Sequence, residues 1–328
     1  MIRFFKSSFV VQYCAICITG LILWGNSFYE PPLMPVPDGF VPFYSLLFSL
    51  LSGFPLIQVI AGYLLVMVSA FILNRLLYRH NIVQKNTSMA GFVFMILMSY
   101  YPEFQIIQPV NIALLFLLLI LSQLLQSYNK EEPLDLIYSS GFLATIGSFV
   151  YFPFIFFYGL VLISFVFFRS VKWREWVSSL FGFLTPFLFL ATYYFWFDQL
   201  IPKIDEYLGM FTIRADLMPF KKPAFIILSS VITILSIYSL LYSITNRIEK
   251  TIERKRKNLL LNWVIFFVLV SFPFTSSLSG YHLELSFITF SGSIAYYLMQ
   301  IRKTFWQELV FILILLFIIS NNLFFHWT

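Results

Sequence analysis

The stretch PVNIALLFLLLILSQL, residues 109–124, contains no charged side chain, and 8–25, 152–168, 222–244 and 308–324 are almost as free of charge. Such runs constrain the fold more than anything else in the chain. A helix crosses a bilayer on about 20 apolar residues, and on fewer when it sits inside a bundle. Only 11% of the 328 residues are charged, 60% are apolar and 21% aromatic. A soluble domain carries about 25% charged residues. The expected fold is therefore all-α, a polytopic membrane helix bundle.

Eleven spans are expected: 8–25, 54–74, 87–100, 108–126, 134–149, 152–168, 176–197, 222–244, 259–274, 282–300 and 307–324. Those at 87–100 and 134–149 are short, and a tight break is expected at Pro153. No segment is long and polar enough for a soluble domain, so 1–328 reads as one transmembrane domain. Arg3 and Lys6 followed by an apolar run resemble a signal peptide. The run ends LILWGNSFYEPP without a small-x-small cleavage pattern, so a retained first helix is expected. Cys14 and Cys17 lie inside that helix without histidine neighbours, which suits packing rather than redox or metal chemistry.

Short cytoplasmic loops are enriched in Lys and Arg. With the N-terminus inside and alternating spans, the inner loops receive 17 of the 21 basic residues. Six of these fall in RIEKTIERKRK (247–257). The outer side receives Lys203, Arg214, Lys221 and Lys222. The asymmetry favours an odd number of spans and an outer C-terminus. A net charge of +6 then reflects inner loops facing anionic lipid rather than nucleic-acid binding. The run at 247–257 reads as a topology anchor, or as a dock for an anionic headgroup or a protein partner.

Acidic residues gather on the other side. Glu30, Asp38, Glu103, Asp198, Asp205, Glu206, Asp216 and Glu284 map to outer loops or outer helix ends, eight of fifteen. The first outer loop, 26–53, is proline-rich at its front. Its back, FYSLLFSLLSG, places Phe43, Leu46, Leu47, Leu50 and Leu51 at helical spacing, which predicts an interfacial helix. The loop at 199–222 has room for another. The second outer loop, SYYPEFQIIQPVN (99–111), sets Glu103 between two tyrosines and two prolines. Pro102 should stop one helix and Pro109 should start the next at its first turn. Gln105, Gln108 and Asn111 add polar groups there. Glu103 reads either as part of a polar turn or as a carboxylate held at the mouth of a cavity. The last outer turn brings His282 and Glu284 to the head of the tenth helix.

This layout resembles the C-type superfamily of integral membrane glycosyltransferases, which use polyprenyl-phosphate sugars. The resemblance lies in the inside N-terminus, the long first outer loop with Glu30 and Asp38, Glu103 in the second loop, and several short spans. RSVKWREWVSSLFGFLTPF (169–187), a basic inner turn leading into a helix with Gly182 and Pro186, has the same look. It covers roughly residues 1–200 in topology, with 201–328 as additional helices. As a whole the chain also resembles a group of Bacteroidetes polytopic inner-membrane proteins, which implies a bacterial inner-membrane location. A non-haem iron oxygenase is disfavoured, because such iron needs clustered His and carboxylate ligands, and His80, His282 and His326 are scattered.

The resemblance implies a polyprenyl-phosphate donor at the outer face. A first-loop carboxylate, Asp38 or Glu30, would serve as general base. Glu103 would bind a divalent metal or orient the acceptor. Arg214 or Lys221 would hold the phosphate, with His282 and Glu284 as further substrate contacts. No phosphate loop, nucleophile elbow or zinc motif is present. No ionisable residue lies centrally in a span, which disfavours ion-coupled transport. The alternative function is a non-catalytic subunit of a larger envelope or secretion complex.

Overall fold

The computed structural model describes residues 4–6, 10–83, 87–128, 130–168, 172–213, 223–245, 252–275 and 279–300, with positions 312, 315, 318 and 319. Its elements are helical, with no strand among the described residues. In chain order they begin with α1 (Val10–Leu23), the short α2 (Gly25–Tyr29), α3 (Pro42–Leu51), α4 (Pro55–Arg79) and α5 (Met89–Met98). There follow α6 (Pro109–Ser127), α7 (Leu134–Val150), α8 (Tyr158–Phe168), α9 (Trp173–Trp196) and α10 (Leu200–Gly209). The last are α11 (Pro223–Thr245), α12 (Ile252–Ser271), α13 (Ser279–His282) and α14 (Phe287–Gln300).

Four helical segments are long and apolar enough to cross a bilayer: Pro55–Arg79, Pro109–Ser127, Trp173–Trp196 and Ile252–Phe274. The α5 helix shows why others can be short. Its 10 residues rise about 15 Å, half of the roughly 30 Å hydrocarbon core. All 10 are buried, so its length answers to its neighbours and not to lipid. The opposite case is α9, where Leu180, Phe181, Leu184, Leu188 and Phe189 are exposed. An outward apolar face of that kind suits lipid contact.

Prolines mark several helix starts, at Pro109 as the sequence predicts. Pro42, Pro55 and Pro109 each stand in the first turn, where a missing N–H costs nothing. The helix expected at the back of the first loop is α3, with Phe43, Leu46 and Leu50 outward and Tyr44 buried. The second such helix is α10, whose exposed Ile201, Ile204 and Leu208 fall on one stripe.

Small residues set the close crossing of α7 and α9. A Cβ on Gly141 of α7 would strike the Ser179 carbonyl of α9, and one on Gly182 of α9 would strike the Tyr138 carbonyl of α7. The expected packing stripe at Gly141, Ala144 and Ser148 is buried accordingly. The Tyr138 hydroxyl, bonded to Thr185 Oγ1 at 3.0 Å, and Thr145 Oγ1, donating to the Phe183 carbonyl at 2.6 Å, then lock the pair.

One expected element is built differently. The sequence suggests a single helix over 282–300, but regular α-helix begins at Phe287, after α13 and a 3-10 turn at Leu283–Ser286. The break falls where His282 and Glu284 turn inward to polar partners. The span expected at 307–324 lies outside the described residues apart from positions 312, 315, 318 and 319.

Candidate functional site

The site begins at the end of α1. Trp24 is fully buried, and α2 carries the chain one further turn before Glu30-Pro31-Pro32. Two consecutive prolines lack N–H donors and force extended backbone, so helix stops at Glu30, whose own N–H still bonds the Asn26 carbonyl at 2.9 Å.

Below this corner runs a chain of buried hydrogen bonds. Ser27 Oγ donates to Gln105 Oε1 at 2.7 Å. Gln105 Nε2 donates to the Ser99 carbonyl at 3.0 Å. Trp24 Nε1 donates to Ser99 Oγ at 2.9 Å, and Ser99 Oγ donates to the Met95 carbonyl at 2.7 Å. Buried polar groups that leave water need such partners. Here the partners join the segment after α1 to the loop between α5 and α6.

The second loop is held as firmly from the other side. Ile107 N–H donates to the Gln58 carbonyl of α4 at 3.1 Å. A Cβ on Gly62 would lie 2.6 Å from the Ile106 and Ile107 backbone, so that position on α4 needs glycine for the loop to pass. Within the loop, Pro102–Phe104 forms a 3-10 turn and Tyr100, Tyr101 and Phe104 are buried. Phe104 packs on Tyr281 of α13 with ring centroids 4.2 Å apart. Glu103 is thus presented by a packed, aromatic-backed turn, not by a free loop.

Glu30 and Glu103 line one cleft of about 500 Å³. Pro31 and Pro32 flank the first acid and Pro102 the second, and Ser27 and Tyr281 complete the walls. Small-molecule pockets are typically about 300–1,000 Å³. Burial raises the pKa of the Tyr281 hydroxyl, and the charge of Glu103 raises it further. Burial, then Glu103, does the same for Tyr101. Both phenols therefore keep their protons, and Tyr281 faces the cleft as a neutral group.

The other predicted residues sit elsewhere. Asp38 is exposed and lines a separate crevice of about 20 Å³ with Tyr44, Tyr151 and Thr275, room for about one water. His282 is fully buried. Its Nε2 lies 2.9 Å from the Val268 carbonyl and 3.1 Å from Ser271 Oγ. The carbonyl can only accept, so the proton is on Nε2 and Nδ1 accepts from the Tyr151 hydroxyl at 2.8 Å. Glu284, also fully buried, accepts from Gln108 Nε2 at 2.8 Å. Arg214 and Lys221 lie outside the described residues.

Tyr281 and Ser27 are site residues that the sequence reading passes over. Tyr281 adjoins His282 in the last outer turn, and an aromatic there was the available signal. Ser27 had none. Among the described residues no group of three or more His, Cys, Asp or Glu is placed to hold a metal. The two cleft acids offer oxygen donors of the kind Mg²⁺ accepts when substrate phosphate and water fill its remaining positions. Comparison with protein-family models, with curated proteins and with solved structures finds no match.

Proposed function

We propose that this protein is an integral membrane glycosyltransferase of C-type-like architecture. It would transfer a sugar from a polyprenyl-phosphate donor at the outer, periplasmic face of a bacterial inner membrane. The observation that carries this reading is the sharing of one sugar-sized cleft by Glu30 of the first outer loop and Glu103 of the second. The reading takes the chain as multi-pass, with about eleven spans, the N-terminus inside and the C-terminus outside. In this topology the basic connectors after α4, between α6 and α7, and at the start of α12 share the inner face.

In the proposed reaction Glu30 takes the proton of the acceptor hydroxyl. The acceptor oxygen attacks the anomeric carbon, the bond from that carbon to the phosphate oxygen breaks, and polyprenyl phosphate leaves. Glu103 orients the acceptor or holds a divalent cation, which would offset the charge of the leaving phosphate. Such help is needed, since two carboxylates and no cation line the cleft among the described residues. Arg214 and Lys221 remain the proposed phosphate contacts.

The test is native mass spectrometry of protein in nanodiscs, paired with a transfer assay using a polyprenyl-phosphate hexose. Glu30→Gln and Glu103→Gln should each lower transfer about a hundredfold or more, the range attributed to a lost acid–base group. Asp38→Asn should leave transfer within about twofold of wild type, since its crevice is separate. A stoichiometric protein partner, with bulk phospholipid as the sole lipid and no transfer, would instead identify a non-catalytic subunit of a larger complex.

A further inference from the structure

Behind the cleft, the start of α6 meets the 3-10 turn ahead of α14 through three fully enclosed polar side chains. Gln108 and Glu284 are 0% exposed and Asn111 is 1% exposed. Gln108 Nε2 donates to Glu284 Oε2 at 2.8 Å and lies 3.3 Å from Asn111 Oδ1. Asn111 Nδ2 donates to the Ile106 carbonyl at 3.2 Å. Two atoms are left over: Glu284 Oε1 and Gln108 Oε1 are both buried and have no hydrogen-bond partner. They belong to the two residues already joined on their other sides.

Both leftover atoms are acceptors if Glu284 is ionised, and nothing then satisfies either one. A carboxylate in this position would also be a buried charge without a counter-ion. The titratable groups whose charge interacts with it, Tyr100 and Tyr281, are neutral phenols. Glu103, which also acts on Tyr281, is a like charge and would only repel it. The neighbouring His282 ring spends its nitrogens on Tyr151, Ser271 and the Val268 carbonyl. No ion pair to Glu284 exists among the described residues.

We propose that Glu284 is a proton-binding site: a carboxylic acid whose Oε1–H donates to Gln108 Oε1 and closes a cyclic acid–amide pair with the Gln108 Nε2–H···Oε2 bond. A single proton removes both orphans and the buried charge together. A metal cation is the poorer occupant, since hard cations take about six or more oxygens and the pair offers two unpartnered ones. Glu284 then acts as a positioning residue. It ties the turn that carries Tyr281 to the start of α6, and through it to the loop that presents Glu103.

The experiment is infrared difference spectroscopy of the full-length protein in nanodiscs, wild type against Glu284→Gln, at neutral pH with and without Na⁺. Thermal unfolding at neutral and alkaline pH accompanies it. The wild type should show the carbonyl stretch of a protonated carboxylic acid, shifted in D₂O, insensitive to Na⁺ and missing from the variant. Glutamine offers the same donor and acceptor, so Glu284→Gln should keep the wild-type unfolding temperature at neutral pH. It should lose less than wild type when the pH is raised, whereas Glu284→Ala should be destabilised at both. A carboxylate band assigned to Glu284 at neutral pH would overturn the assignment. So would a protonated band that appears only when Na⁺ is withdrawn. Neither outcome depends on whether sugar transfer is observed.

Discussion

His80 shows how much one buried titratable side chain governs here. It caps the C-terminal end of α4 and is 8% exposed. Burial, then the nearby Lys257 and Arg79, pushes its pKa down from 6.5 to about 4. The unfolded chain therefore binds a proton between those values that the folded chain does not. Stability should be full above about pH 6.5 and decline as the pH falls towards 4, by at most about 3 kcal/mol. His80→Gln should flatten that decline in unfolding scans from pH 7 to 4, and an unchanged slope would count against the burial account. Burial and packing likewise separate the acids. Glu30 and Glu103 enter one cleft and Asp38 lines another, although the sequence put Glu103 first and could not separate Asp38 from Glu30. The separation of many acids from the basic loops was visible in the sequence because charge counting needs no coordinates. The grouping of Glu30 and Glu103 depends on the helix stop that Pro31 and Pro32 impose after Glu30 and on the bond from Ser27 to Gln105, which joins segments 78 residues apart.

Among the helices, glycines at crossings carry testable weight. Gly62 of α4 faces the Ile106–Ile107 backbone at a distance no side chain tolerates. Gly62→Val should cost about 1–3 kcal/mol, the usual range for overpacking, and should weaken the cleft by displacing the loop that bears Glu103. Gly25, by contrast, has open space where a Cβ would stand, so Gly25→Ala should stay within about 0.5 kcal/mol of wild type. Thermal unfolding in a mild detergent checks both, and equal effects at the two positions would contradict the packing argument. The stripe at Gly141 was readable from its spacing. Gly62 was not, because its partner is backbone from a loop far along the chain. The split of 279–300 into two short turns and α14 was likewise hidden, since apolar periodicity does not register side chains that turn inward to distant polar partners.

For the molecule as a whole, the distribution of Lys and Arg makes a prediction about sidedness. In a background with Cys14→Ser and Cys17→Ser, a membrane-impermeant maleimide should label Ser49→Cys on α3 from outside. It should reach Glu131→Cys, between α6 and α7, only after the membrane is opened. The reverse pattern would invert the proposed topology and move the Glu30–Glu103 cleft to the cytoplasmic face. The exposed apolar sides of α9 and α11 and the enclosed α5 are what a bundle sitting in lipid requires. Loss of lipid should therefore expose these faces and promote aggregation.

Helix class, the apolar runs and the helix start at Pro109 follow from the sequence alone, because they rest on local hydropathy and on backbone chemistry near each residue. So does the gathering of carboxylates away from the basic loops. What each acid faces followed from folding. Glu30 and Glu103 share a cleft, while Glu284 is sealed against Gln108 and His282 against Val268, because contacts between segments far apart in sequence decide burial and hydrogen bonding. A linear pattern carries no record of such contacts until the helices pack.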